Sequence, residues 1–176
     1  MSQTLKIAIT GPESTGKSWL AEGLASHYQA PFVPEYARTY IDGLSRDYEK
    51  QDLLQIAKGQ IAAQQEMELQ APVMLLCDTE LIVIKVWSLH KYGTCDPFIL
   101  SAIERQDFDL YLLCNIDLPW EFDEQREHPH LRQFFLNWYQ KELEYYGFPY
   151  AVVRGLGEER LMCAVEAVEK VVRCEK

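Results

Sequence analysis

No run of 18 apolar residues interrupts this 176-residue sequence, and its five cysteines, Cys77, Cys95, Cys114, Cys163 and Cys174, form no Cys-x-x-Cys pair. The first absence argues against a membrane-spanning helix, and the second against the common redox and zinc frameworks. Cys77 and Cys114 instead end apolar runs, where a thiol serves as a small hydrophobe in a reducing compartment. His90, Cys95, His128 and His130 match no tight zinc spacing. The opening MSQTLKIAITG carries neither a signal-peptide core nor an Arg-rich transit pattern, so the expected location is the cytoplasm.

Positive charge is also scarce. Seventeen Lys and Arg against 27 Asp and Glu leave a net charge of −10, which argues against nucleic acid or an anionic membrane as partner. An anionic ligand therefore needs a local positive site. Repeats, low-complexity tracts and linkers are absent, so residues 1–176 are expected to form one domain. GTPase switch motifs are missing too: Asp78-Thr79-Glu80-Leu81 is not D-x-x-G, and Asn115-Ile116-Asp117-Leu118 is not N-K-x-D.

The pattern that is present alternates strand and helix. Leu5 to Thr10, Val73 to Cys77, Leu110 to Cys114 and Tyr150 to Val153 read as short buried strands, with a brief extended piece at Phe32 and Val33. Between them, helical periodicity runs from the Gly11 to Ser18 turn to about His27, from Asp52 to Gln70, across Trp87 to Asp107 with a break near Gly93 to Pro97, from Leu131 to Tyr146, and from Glu158 to Val172. This order predicts a three-layer α/β fold around a central, mostly parallel sheet. The polar excursion at 115–130 is where a small lid is expected.

Gly11-Pro12-Glu13-Ser14-Thr15-Gly16-Lys17-Ser18 satisfies G-x-x-x-x-G-K-[ST] between a predicted strand and a predicted helix. Its glycines permit a tight path with amides turned inward, Lys17 supplies charge to β- and γ-phosphates, and Ser18 is a ligand for Mg²⁺. This is the local positive site that an anionic nucleotide needs, and ATP is its expected occupant.

The strand ending at Cys77 delivers Asp78 beside that loop, either to hold Mg²⁺, directly or through water, or to accept a proton from a bound hydroxyl. Glu80 either joins it or begins an exposed helix. Pro34-Glu35-Tyr36-Ala37-Arg38 follows the second strand at the same sheet edge. Glu35 is expected to accept sugar hydroxyls, Tyr36 to stack on substrate, and Arg38 to neutralise phosphate. In the polar excursion Arg126 is the expected lid cation over the phosphates, with Asp117 beside it and Arg132 as a spare. Trp87, Tyr92 and Trp120 are large aromatics near this region. Trp87 is the candidate for ring contact with a nucleoside-like acceptor.

Assembled, GPESTGKS, PEYAR, CDTE, YGTCDPF (Tyr92 to Phe98) and PWEFDEQR (Pro119 to Arg126) make nearly the whole sequence resemble the ribosylnicotinamide kinase domain of the bacterial trifunctional NAD-biosynthesis regulators, within the P-loop kinase-like ATPases. The resemblance implies a nucleoside/nucleotide kinase-like P-loop fold and transfer of phosphoryl from ATP, with Mg²⁺, to the ribose 5′-hydroxyl of ribosylnicotinamide. Lys17, Asp78 and Arg126 would carry the chemistry. Two positions depart from the family pattern: Pro34 stands where a family member has an aromatic Trp lid on the nicotinamide ring, and Glu80 stands for a second aspartate. Strand one already begins at Leu5, so neither adenylyl transfer nor DNA binding is expected. The residues leave open a kinase for another nucleoside or nucleotide, a nucleotide-dependent regulatory ATPase or binding module, and the oligomeric state.

Overall fold

A computed structural model describes residues 4–123, 125 and 128–174. Five strands, β1 (Leu5–Thr10), β2 (Phe32–Val33), β3 (Met74–Asp78), β4 (Leu110–Cys114) and β5 (Tyr150–Val153), form one sheet in the order β2-β3-β1-β4-β5. Every pairing is parallel. The helices are α1 (Lys17–Tyr28), α2 (Tyr36–Asp42), α3 (Lys50–Glu68), α4 (Leu81–Tyr92), α5 (Pro97–Ile103), α6 (Arg132–Tyr146) and α7 (Gly157–Cys174).

The two-residue period of the strands divides the core into two layers. Leu5, Ile7 and Ile9 of β1 join Leu76, Leu110 and Leu112 beneath α1 and α7, where Leu20, Leu24, Val165 and Val168 cover them. On the other face Ala8, Leu75, Tyr111 and Leu113 pack under the helices from α2 to α6 through Ala37, Leu53, Ile56, Ile82 and Leu136. Both faces are buried, as near-continuous apolar strands require. Among the described residues no helix is long and apolar enough to cross a membrane. The thiols of Cys77, Cys95, Cys114 and Cys163 are free.

Element boundaries moved for local reasons. Val73 is 83% exposed, so β3 starts at Met74 and continues through Asp78, which sits opposite Ile9 of β1. α3 begins at Lys50, two residues ahead of expectation, because Asp52 accepts the Glu49 amide at 2.7 Å in a reciprocal capping box. Its far end falls at Glu68, ahead of Pro72; the intervening Ala71 has a φ of 49°.

The strand order switches at β1, which has β3 on one side and β4 on the other while all run parallel. The loops leaving these three strands at their carboxyl ends frame a crevice, the usual ligand position in an open parallel sheet.

Candidate active site

The loop from β1 to α1 is shaped by its two glycines. Gly11 has a φ of 132°, and a Cβ there would lie 2.9 Å from the Cys114 carbonyl of β4. Gly16 (φ 73°) precedes α1 directly, and a Cβ on it would come within 2.7 Å of Leu118. Lys17 Nζ donates to the Gly11 and Pro12 carbonyls, both at 3.0 Å, so its ammonium lies over the loop. Thr15 Oγ1 donates to the Pro12 carbonyl at 2.7 Å and closes the turn from within.

The segment after β4 is laid over this loop. Ser14 Oγ accepts the Glu121 amide at 2.9 Å, and Arg132 donates to the Ser14 and Leu118 carbonyls at 2.9 and 2.8 Å. Arg132 therefore stands behind the loop as a brace, not over the phosphates as a spare lid cation. Asp117 likewise turns away from the lid: it accepts the Gly155 amide at 3.0 Å and pairs with Arg160 at 3.5 Å. Arg126 lies outside the described residues.

Asp78 is 2% exposed at the tip of β3 and takes a hydrogen bond from Ser18. Burial pushes its carboxyl up to about 6, aided by Glu35 and opposed by the Ser18 bond and the charges of Lys17 and Arg38. Its other oxygen, Oδ1, is buried with no hydrogen-bond partner among the described residues. A hard cation with oxygen ligands fits this spot, because an orphaned carboxylate oxygen beside a P-loop hydroxyl is what Mg²⁺ uses. Ser18 and Asp78 are the residues that would hold it.

Glu80 is a different kind of carboxylate. It is buried, precedes α4, and accepts from Thr10 Oγ1 (2.8 Å) and the Ile82 amide (2.7 Å). It is a helix cap tied to β1, not an exposed first turn.

A cavity of about 530 Å³ opens from the P-loop toward α2, α4 and α6. Residues 11–18, Glu35, Arg38 and Trp87 all line it. Arg38 pairs with Asp123 at 3.0 Å, which joins α2 to the 115–130 segment, and Gln125 adds a 2.5 Å bond to Asp42. The Trp87 indole N–H donates to Tyr48 Oη at 2.6 Å, and Tyr92 Oη donates to the Tyr48 carbonyl at 3.2 Å. Of the two, only Trp87 reaches the cavity wall, and Trp120 is not part of that wall either.

Tyr36 does not behave as expected. Its ring lies over Gly59 of α3, so close that a Cβ there would meet Tyr36 Cε1 at 2.1 Å, and it is absent from the cavity wall. A glycine notch in a neighbouring helix offers an aromatic ring a better-packed berth than the open crevice. Tyr36 is thus a packing residue of α2, its backbone amide fixed by Gln60 Oε1 at 2.8 Å.

Sequence reasoning passed over two features of the site. Val83, Val86, His90, Phe135 and Tyr139 make the far wall apolar and aromatic, with the His90 ring edge-on to Phe135 at 4.8 Å. The second feature is Arg160, wholly buried, whose guanidinium donates to the Thr15, Asn115 and Gly155 carbonyls at 2.7, 2.9 and 3.2 Å. The signal was present: helical spacing puts Arg160 on the face of Ala164 and Val168, both fully buried.

A parallel sheet with a lysine-bearing glycine loop at its switch point defines the chain as a P-loop protein. Residues 6–160 match the model of the AAA domain family, and the chain belongs to that family. Among curated proteins it is 29% identical over 123 residues, 66% of its length, to the trifunctional NAD biosynthesis/regulator protein NadR of Escherichia coli, and it matches that of Salmonella typhimurium to the same extent. It spans 30% of each of those relatives.

Solved NadR in complex with NR superposes with a TM-score of 0.78 at 22% identity, covering 96% of this chain and 50% of that one. NadR in complex with NAD and AMP-PNP gives 0.76 at 24%, covering 96% and 49%. Thymidylate kinase from Ehrlichia chaffeensis gives 0.66 at 11%, covering 97% and 100%. The chain is thus related by sequence and fold to part of NadR and shares the α/β architecture of P-loop kinases.

Proposed function

We propose that this chain is an ATP-dependent kinase of the cytoplasm that transfers the γ-phosphoryl group to the ribose 5′-hydroxyl of ribosylnicotinamide, a step in NAD biosynthesis, and that residues 1–176 act as one domain. The observation that carries this reading is a cavity with the P-loop at one end and an apolar, aromatic wall at the other; Asp78, buried and absent from the wall itself, takes a hydrogen bond from Ser18 of that loop. The relationship to part of NadR, one of whose solved complexes contains NR, supports the choice of acceptor.

In this reading the amides of Gly11 to Ser18 and the Lys17 ammonium hold the phosphates of ATP. Mg²⁺ bound by Ser18 and Asp78 would neutralise charge on the phosphate oxygens. Asp78 orients the 5′-hydroxyl and takes its proton as the new O–P bond forms and the bond to ADP breaks. Glu35 accepts sugar hydroxyls and Trp87 flanks the base. Arg38 and Arg126 supply positive charge to the phosphates, and the lid at 115–130 excludes water, the competing acceptor.

A second nucleoside remains a specific alternative because Pro34 is exposed and offers no π-face. A nucleotide acceptor is less well supported: Arg38, the cation on the acceptor side, is already paired with Asp123. An ATP-dependent acceptor screen by mass spectrometry, covering ribosylnicotinamide, common nucleosides and their monophosphates, tests the reading. A ribosylnicotinamide product heavier by one phosphoryl group is expected. Hydrolysis of ATP that no acceptor stimulates would overturn it in favour of a regulatory ATPase.

A further inference from the structure

Arg132 and Arg160 both grip the phosphate loop by its carbonyls, and each bridges one loop carbonyl to the segment after β4; Arg160 also reaches the cavity wall, whereas Arg132 does not. Arg132, the first residue of α6, joins Ser14 O to Leu118 O at 2.9 and 2.8 Å. Arg160, in the first turn of α7, joins Thr15 O to Asn115 O at 2.7 and 2.9 Å. The two bridged carbonyls are consecutive.

A trans peptide is planar, with its C=O and N–H pointing in opposite directions. The plane that carries Ser14 O also carries the Thr15 amide, and the plane that carries Thr15 O carries the Gly16 amide. Holding each carbonyl on a guanidinium fixes the matching N–H in the opposite direction, available to a bound phosphate. The two carbonyl anchors act where the backbone is least restrained by its own preference, because Gly16 has a φ of 73° and Ser14 one of 55°, in the left-handed region.

We propose that Arg132 and Arg160 are paired positioning residues that hold the Thr15 and Gly16 amides in their phosphate-binding orientation by anchoring the carbonyls of the same peptide planes. Arg132 is absent from the cavity wall, and Arg160, which reaches it, has its guanidinium committed to the Thr15, Asn115 and Gly155 carbonyls. The arrangement is preorganisation: donors are aimed before the ligand arrives, so binding costs no loop reordering. It also explains why a full guanidinium is buried in α7, where an aliphatic residue would pack more cheaply. Asp117, at 3.5 Å from Arg160, balances its charge. The inference rests on the reading of Gly11 to Ser18 as an ATP cradle but not on the identity of the acceptor.

The test measures ATP and ribosylnicotinamide binding separately by calorimetry in Arg132→Gln, Arg132→Lys and Arg160→Lys, alongside thermal melts and the amide ¹⁵N–¹H signals of Thr15 and Gly16. Expected are a loss of ATP affinity of about tenfold or more in Arg132→Gln, on the scale of a lost charge-assisted hydrogen bond, partial recovery in Arg132→Lys, and unchanged acceptor binding. The ATP-induced shift of the Thr15 amide should shrink in Arg132→Gln, and that of Gly16 in Arg160→Lys. ATP affinity within about threefold of the parent in folded Arg132→Gln would overturn the proposal, as would parallel losses of ATP and acceptor binding, which mark general loosening. Should Arg160→Lys fail to fold, the Arg132 pair decides alone. If the parent protein binds ATP but phosphorylates no acceptor, the functional reading fails while this test still stands on ATP binding.

Discussion

Thr10 and Glu80, 70 residues apart in sequence, are joined by a 2.8 Å hydrogen bond from the threonine hydroxyl to Glu80 Oε1. Glu80 Oε2 accepts the Ile82 amide at 2.7 Å and Gln106 Nε2 at 3.3 Å. Both oxygens are therefore committed to holding β1, α4 and the turn after α5 together. Asp78, two residues earlier, keeps an oxygen without a partner among the described residues. Two neighbouring carboxylates thus differ in their surroundings: Glu80 has both oxygens bonded, and Asp78 does not.

Asp78→Asn should leave the fold and magnesium-free ATP binding intact while phosphorylation of the acceptor falls by about 10²-fold or more, the scale of a lost general base. Because burial raises the Asp78 carboxyl to about 6 in the metal-free protein, below that pH it loses the anionic form that both proton acceptance and Mg²⁺ binding need. The pH profile of kcat/KM for the parent enzyme should show an acid limb near pH 6 that the variant lacks. A fully active variant would move the search to Glu35.

Lys17→Ala and Arg126→Ala should separate the cradle from the lid. The first removes charge from the centre of the loop and should lower turnover by about 10²–10³-fold in a folded protein. The second should reduce kcat more than ATP affinity, since a lid cation meets charge chiefly as transfer proceeds. Steady-state kinetics at saturating ATP and acceptor, with ATP titrations beside them, distinguish the two.

Glu80 carries a stability prediction with a definite sign. Burial pushes its carboxyl up to about 7, so between its ordinary range and pH 7 the folded state binds the proton more tightly than the unfolded state. Stability from this group is present at low pH and is lost as pH rises through about 7. Glu80→Gln has no such titration. The difference in Tm between variant and parent should therefore move in the variant's favour from pH 5 to pH 8, as thermal melts at the two values would show. A constant difference would mean that burial does not raise the Glu80 carboxyl within this range.

Gly59→Ala tests the notch under Tyr36. Alanine gains about 1 kcal/mol in helix propensity over glycine, but overpacking a tight contact costs about 1–3 kcal/mol. With the new Cβ 2.1 Å from Tyr36 Cε1, the steric cost should win and the variant should be less stable to denaturant. In a Tyr36→Ala background the same change should become stabilising, because only the propensity gain is left.

What the sequence by itself determined is local. The spacing within Gly11 to Ser18 specifies a glycine turn with a lysine and a hydroxyl after it, because residues within one turn of chain are held together by covalent geometry. Apolar runs of four to six residues between helical patterns likewise dictate parallel strands buried on both faces, and so deliver Asp78, Glu35 and the P-loop to one sheet edge. Tertiary structure decided which way each delivered side chain turned. Tyr36 took the Gly59 notch, Arg132 and Asp117 turned from the lid to bracing roles, and Glu80 became a cap because Thr10 lay across the neighbouring strand. Arg160 reaches Thr15 across 145 residues of sequence, and Arg132 reaches Ser14 across 118. Such contacts leave no local pattern to read, since their partners are chosen by how α6 and α7 pack on the finished sheet and by the need of every buried carbonyl for a donor.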